Sequence, residues 1–144
     1  MLRLEASLLM VAVAASAALA QGNVLDERQK LMEQNQNGWR SLRPMLQGQA
    51  PVDQAAVRKI LETWGNNAKR IPTLFPDDTL GIKDTDALPA IKERREDFNA
   101  LAAKLEADTR AAQTVSLTKD NLRAELMKAG QACNDCHDRF RKKK

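Results

Sequence analysis

Leu25, Met32, Trp39 and Leu46 recur every seven residues, and Leu31, Leu42 and Met45 widen the stripe they form. That spacing gives a helix one apolar face, which is stable only when neighbours cover it. The same period returns three times: in Val57, Ile60, Leu61, Trp64, Ala68 and Ile71; in Leu88, Ile91, Phe98, Leu101, Leu105 and Ala112; and in Leu122, Leu126, Ala129, Cys133, Cys136 and Phe140. Nowhere do β-branched residues alternate over a length that would suit a sheet. The expectation is all-α: an antiparallel up-down-up-down four-helix bundle.

Breakers and caps set the helix limits. The first helix is predicted over 24–47, with Pro44 removing a backbone donor and kinking or loosening its last turns. Gly48-Gln49-Ala50-Pro51 then breaks the chain. Asp53 is a good N-cap for a second helix running to Ile71, which Pro72 stops. Residues 72–86 make the one long connection, and Leu74, Phe75, Leu80 and Ile82 are apolar enough to pack it down. A third helix is predicted to begin near Asp86 with Pro89 in its first turn. Ser116 or Thr118 is expected to cap the fourth.

The first 20 residues read differently. Arg3 is followed by an apolar run from Leu8 to Leu19 and by the small-x-small site Ala18-Leu19-Ala20. This is the pattern of a cleaved secretory signal, and the run is too short to cross a bilayer. Residues 21–144 are then the mature domain, exported and with no stable membrane insertion. Cleavage removes one Arg and one Glu, so the formal net charge stays at +4. That mild excess, with no aromatic residues interleaved among the basic ones, does not suit nucleic acid. It gathers at Arg139-Phe140-Arg141-Lys142-Lys143-Lys144, which reads as a solvated tail or as a docking surface for an acidic redox partner.

The only two cysteines and the only histidine fall within five residues, Cys133-Asn134-Asp135-Cys136-His137. On a helix Cys133 and Cys136 are i and i+3 and His137 is i+4, so all three leave one side. Two thiols can form thioethers with the two vinyl groups of haem, and an imidazole beside them can bind its iron. A zinc site would need a second ligand cluster, and the chain has no other Cys or His. Thioredoxin-like chemistry would need a βαβ unit, and a plain disulfide would leave His137 without a role. The motif therefore points to one covalent haem c on Cys133 and Cys136, with His137 on its iron.

A second axial ligand cannot come from the few residues after His137. After signal cleavage the thioethers are Met32, Met45 and Met127. Met127 shares a helix with His137 and cannot reach the opposite face. In an up-down-up-down bundle the fourth helix ends beside the start of the first. Met32 lies about 12 Å along that first helix and Met45 about 31 Å, at 1.5 Å per residue. Only Met32 is level with the motif, either as the distal ligand or as a core residue of its stripe.

Taken together, the motif with its continuation Asp138-Arg139-Phe140-Arg141, the segment Arg28-Gln29-Lys30-Leu31-Met32 and the break Gly48-Gln49-Ala50-Pro51 resemble the class II c-type cytochromes, the cytochrome c′ family, over the whole mature chain. The resemblance implies a four-helix bundle around haem c. Gln29-Lys30-Leu31-Met32 and Ile71-Pro72-Thr73-Leu74-Phe75-Pro76 look more like its low-spin branch, in which a methionine binds the iron. High-spin members are five-coordinate and bind nitric oxide or carbon monoxide, and some of them carry an unligated methionine there. Arg28 matches a basic residue near the haem propionates, or is an ordinary exposed helical arginine. Arg141 matches a basic residue near the proximal histidine, or belongs to a solvated tail. The resemblance further implies a bacterial periplasmic location, redox partner proteins and, as in many members, a homodimer through the first two helices. No residue set has a catalytic pattern. The expected role is one-electron transfer rather than catalysis, with gas binding as the alternative.

Overall fold

The apolar stripes become helices in the computed structural model, which describes residues 2–143, with side chains from 23 to 143. In chain order these are α1 (Leu2–Leu46), α2 (Gln54–Arg70), a short α3 (Ala90–Glu93), α4 (Arg95–Thr114) and α5 (Lys119–Phe140). The expected signal, residues 1–20, lies outside the residues whose side chains are described. Among the described residues no helix is long and apolar enough to cross a membrane.

Local chemistry starts two of the long helices where the sequence indicates. The Asp53 carboxylate accepts from the Ala56 amide at 3.0 Å and satisfies one orphan donor of α2. At α5 Thr118, not Ser116, is the cap. Its hydroxyl accepts from the Asn121 amide, and the Asn121 side chain accepts from the Thr118 amide at 2.7 Å. α1 continues through Pro44 to Leu46, and the Pro44 carbonyl accepts from the amides of Gln49 and Ala50 beyond its end.

The four long helices pack as a bundle, α1 on α2, α2 on α4, α4 on α5 and α5 back on α1. Gly38 lets α1 come close to α2. A Cβ there would lie 2.6 Å from Trp64 Nε1 and 2.8 Å from Ile60 Cγ2. Trp64 uses that closeness to donate its indole N–H to the Asn35 carbonyl at 3.2 Å and to pair with Trp39, ring centroids 4.7 Å apart.

The buried side chains form two clusters along the bundle. One holds Leu42, Val57, Leu61, Trp64, Leu105, Leu122 and Leu126. The other holds Leu31, Ile71, Ala87, Ile91, Phe98, Ala102 and Phe140. The connection after α2 packs down as expected, through two 3-10 turns, Ile71–Leu74 and Asp77–Thr79. Leu74, Phe75 and Leu80 from it lie against the second cluster.

One boundary differs from expectation. The third long helix does not begin near Asp86. Pro89 instead caps the single turn α3, and the chain bends at Arg94 before α4. Residues 86–88 are drawn into pairing with the far end of the chain. The Leu88 amide donates to the Phe140 carbonyl at 3.0 Å, the Lys142 amide donates to the Asp86 carbonyl at 2.8 Å, and Ala87 bridges Arg141 in antiparallel fashion. Gly81, at φ +69°, turns the connection so that its amide reaches the Ala87 carbonyl at 2.9 Å.

Candidate functional site

Cys133, Cys136 and His137 sit together on the last two turns of α5. Both cysteines are half-buried, and no disulfide joins them. Cys133 packs against the Leu42–Trp64 cluster and Cys136 against the Phe98 cluster, so the motif spans the junction of the two. Burial pushes both thiols up, Cys136 to about 11, and they stay protonated at neutral pH. Burial first, and the nearby Arg141 charge second, push His137 down, against the pull of Asp138. Its imidazole is neutral at neutral pH, the form that binds a metal.

The turn that carries His137 is anchored from outside the helix. The His137 carbonyl accepts from the Arg141 amide at 3.1 Å, and Lys142 adds a side-chain bond to the Thr85 carbonyl at 2.8 Å beside its backbone pairing. The basic end of the chain is therefore not wholly a solvated tail. Arg141 is exposed, paired through its backbone, and close enough for its charge to act on His137.

Beneath the motif lie all three phenylalanines of the chain. Phe98 stands between Phe75 and Phe140, with centroids 5.0 Å and 5.4 Å away and planes at 64° and 88°. These edge-to-face contacts make a rigid apolar floor of three segments far apart in sequence.

The register of α1 against α5 is marked by Gly130, which faces Trp39: a Cβ there would lie 3.4 Å from Trp39 Cζ2. The two helices are antiparallel. Seven residues from Gly130 toward the end of α5 reach His137, and seven residues from Trp39 back along α1 reach Met32, about 10 Å in each case. Met32 is half-buried and packs on the same cluster as Cys136. Met45 belongs to the other cluster, and Met127 is 58% exposed. Of the packed long-helix pairs, α1 and α5 approach each other most sparsely.

Arg28, one turn before Met32, is not an exposed helical arginine, being only 6% exposed. Its Nε donates to the Leu74 carbonyl at 2.5 Å, Nη1 to the Thr79 carbonyl at 3.2 Å and Nη2 to the Thr79 hydroxyl. Thr85 Oγ1 accepts a longer bond at 3.5 Å, and the guanidinium lies 4.1 Å from the Phe75 ring centroid. Burial lowers its pKa to about 10, opposed by Asp78, so it is still a cation at neutral pH. Neither this clamp nor the phenylalanine floor is foreseen in the sequence reading. In the sequence Phe75 lies in the connection and Phe98 and Phe140 in separate stripes, so nothing local joins them to each other or to Arg28.

The sequence profile of the family described as Cytochrome C' matches residues 23–141. The chain belongs to the cytochrome c′ family. It is 36% identical to a cytochrome c′ of Rhodopseudomonas palustris over 94% of this chain and 92% of that one. A cytochrome c-556 of the same organism is 35% identical over 90% and 89%. The solved cytochrome c′ from Rhodopseudomonas palustris superposes with a TM-score of 0.79 at 37% identity, covering 84% of this chain and 97% of that one. The fold is thus the family's four-helix bundle, and the cofactor is covalent haem c with its iron. The donor set fits it: two unoxidised thiols and a neutral imidazole on one helical face, beside apolar walls.

Proposed function

We propose that this member of the cytochrome c′ family is a one-electron carrier with His137 and Met32 as axial ligands and Cys133 and Cys136 as the thioether anchors. The observation that carries this reading is the α1–α5 register, in which Gly130 against Trp39 puts Met32 level with His137. Haem c, when bound, supplies an iron that gains or loses one electron. His137 offers a neutral imidazole fixed by the anchored last turn of α5. Met32 offers a soft thioether that needs no proton, and both keep the same form in either oxidation state, so little reorganises on transfer. The phenylalanine floor and the packed connection keep water from that side. Arg141 stands on the proximal side, where its charge already acts on His137. A propionate contact by Arg28 would have to be made from its clamped position.

The same reading puts residues 1–20 in a cleaved signal and the mature domain in a bacterial periplasm. It assigns a carrier role rather than an enzymatic one, and a docking role for an acidic redox protein to the exposed cations Arg139, Arg141 and Lys143. Homodimerisation through α1 and α2 goes with it. The second reading, a five-coordinate protein that binds nitric oxide or carbon monoxide, is favoured by one observation. Met32 packs against the Phe98 cluster, as an ordinary core residue of its stripe would.

An optical spectrum of the reduced protein with and without carbon monoxide separates the two. A sharp low-spin α band that carbon monoxide barely disturbs is expected, and Met32→Ala should convert it to a broad, gas-accessible spectrum. A wild type that binds carbon monoxide readily, or a Met32→Ala spectrum identical to wild type, excludes Met32 as ligand.

A further inference from the structure

We propose that Arg28 is a positioning residue for the sixth ligand, fastening the 74–85 connection to α1 so that Met32 is held in its packed place opposite His137. This rests on the reading that Met32 binds the iron.

Arg28 and Met32 are i and i+4 on α1, neighbours on one face about 6 Å apart along the axis. The guanidinium fork reaches away from its own helix to Leu74, Thr79 and Thr85. Thr79, 1% exposed, is in turn fixed by donating its hydroxyl to the Pro76 carbonyl at 2.7 Å. The residues beside those acceptors, Leu74, Phe75 and Leu80, pack on the same cluster as Met32. One side chain therefore ties together the helix that carries the methionine and the segment that walls it in.

Stability alone does not explain this choice. A buried cation hydrogen-bonded to carbonyls and hydroxyls carries a large desolvation cost, and a well-packed apolar side chain commonly does as well or better. What the planar fork adds is geometry, since its donors leave in fixed directions and determine where the connection lies. Lysine would keep the charge but not that geometry.

The test uses the haem-loaded protein and three variants. Arg28→Lys keeps the charge and loses the fork. Thr79→Val removes one acceptor with little change of shape. Leu61→Ala destabilises the other cluster and serves as the control for stability loss alone. The readouts are the near-infrared sulfur-to-iron charge-transfer band of the oxidised protein and the carbon monoxide association rate of the reduced one. Arg28→Lys should weaken the band and raise the association rate about tenfold, the factor expected when charged hydrogen bonds that favour the closed arrangement are lost. Thr79→Val should shift both in the same direction by less, and Leu61→Ala should shift neither.

A wild-type band and rate in both Arg28→Lys and Thr79→Val overturn the proposal, as does a Leu61→Ala effect equal to that of Arg28→Lys. If Arg28→Lys does not retain haem, Thr79→Val decides by the same criteria. A wild type that lacks the band and takes up carbon monoxide freely is a different failure. It removes the six-coordinate reading itself, and this inference with it.

Discussion

Single residues decide how close the helices come, and two glycines do so with opposite consequences. Both Gly38 and Gly130 lie inside helices, where alanine is favoured by about 1 kcal/mol. At Gly38 the added methyl would stand 2.6 Å from the buried Trp64 indole nitrogen, which is held by its bond to Asn35. Overpacking of this kind costs roughly 1–3 kcal/mol and outweighs the propensity gain. At Gly130 the same methyl meets Trp39 at 3.4 Å, an ordinary contact. Gly38→Ala should therefore lower the thermal midpoint by several degrees, while Gly130→Ala leaves it unchanged or raises it slightly. Denaturant unfolding of the two variants checks both signs. Equal effects would mean that the α1–α2 approach is not limited by Gly38. The proposed axial pair belongs to the same scale, because on that reading replacing Met32 alone should change the coordination number without changing the bundle.

Elements show which parts of the fold can be foreseen. The start of α5 is legible because its cap and its partner are three residues apart. Thr118→Ala removes the hydroxyl that accepts from Asn121 and should cost about 1 kcal/mol, read as a lower urea midpoint with an unchanged slope. No change in midpoint would show that the capping box adds nothing to the folded state. The apolar stripes and the Cys133–His137 spacing were legible for the same reason, each being a pattern within one helix. The late start of α4 was not. Asp86, Ala87 and Leu88 read as the opening of a helix, yet their backbone partners are Phe140, Arg141 and Lys142, at and beyond the end of α5, with α3 and α4 between. No local propensity encodes such a pairing. Arg28 is the same case: its acceptors lie 46 to 57 residues away, so a single position in α1 gives no sign of what it binds. Site residues that act through distant backbone are thus the ones the sequence conceals.

For the whole molecule, the uneven packing of the helices links the cofactor to the order of folding. α2 with α4, and α4 with α5, make the close approaches of the bundle, whereas α1 meets α5 sparsely. α1 nevertheless carries Met32, and α5 carries the attachment motif. A group covalently held by Cys133 and Cys136 and bound on its other side by Met32 would cross-link the loosest pair in the bundle. Anything that binds only the native arrangement stabilises it by its binding free energy. Without such a link, α1 should open at lower cost than the rest, as a local unit. The double variant Cys133→Ala/Cys136→Ala, which cannot be attached, therefore ought to keep helical circular dichroism yet lose amide protection in α1 first. Hydrogen exchange should find Leu31 and Leu42 unprotected well before Leu61, Leu105 and Leu126. In the haem-loaded wild type the two groups should exchange at similar rates. Uniform loss of protection across all four long helices in the variant would show that the bundle folds and unfolds as one unit without the link. Protection of α1 equal to that of α4 would show that Arg28, Trp39 and Gly38 alone hold it in place.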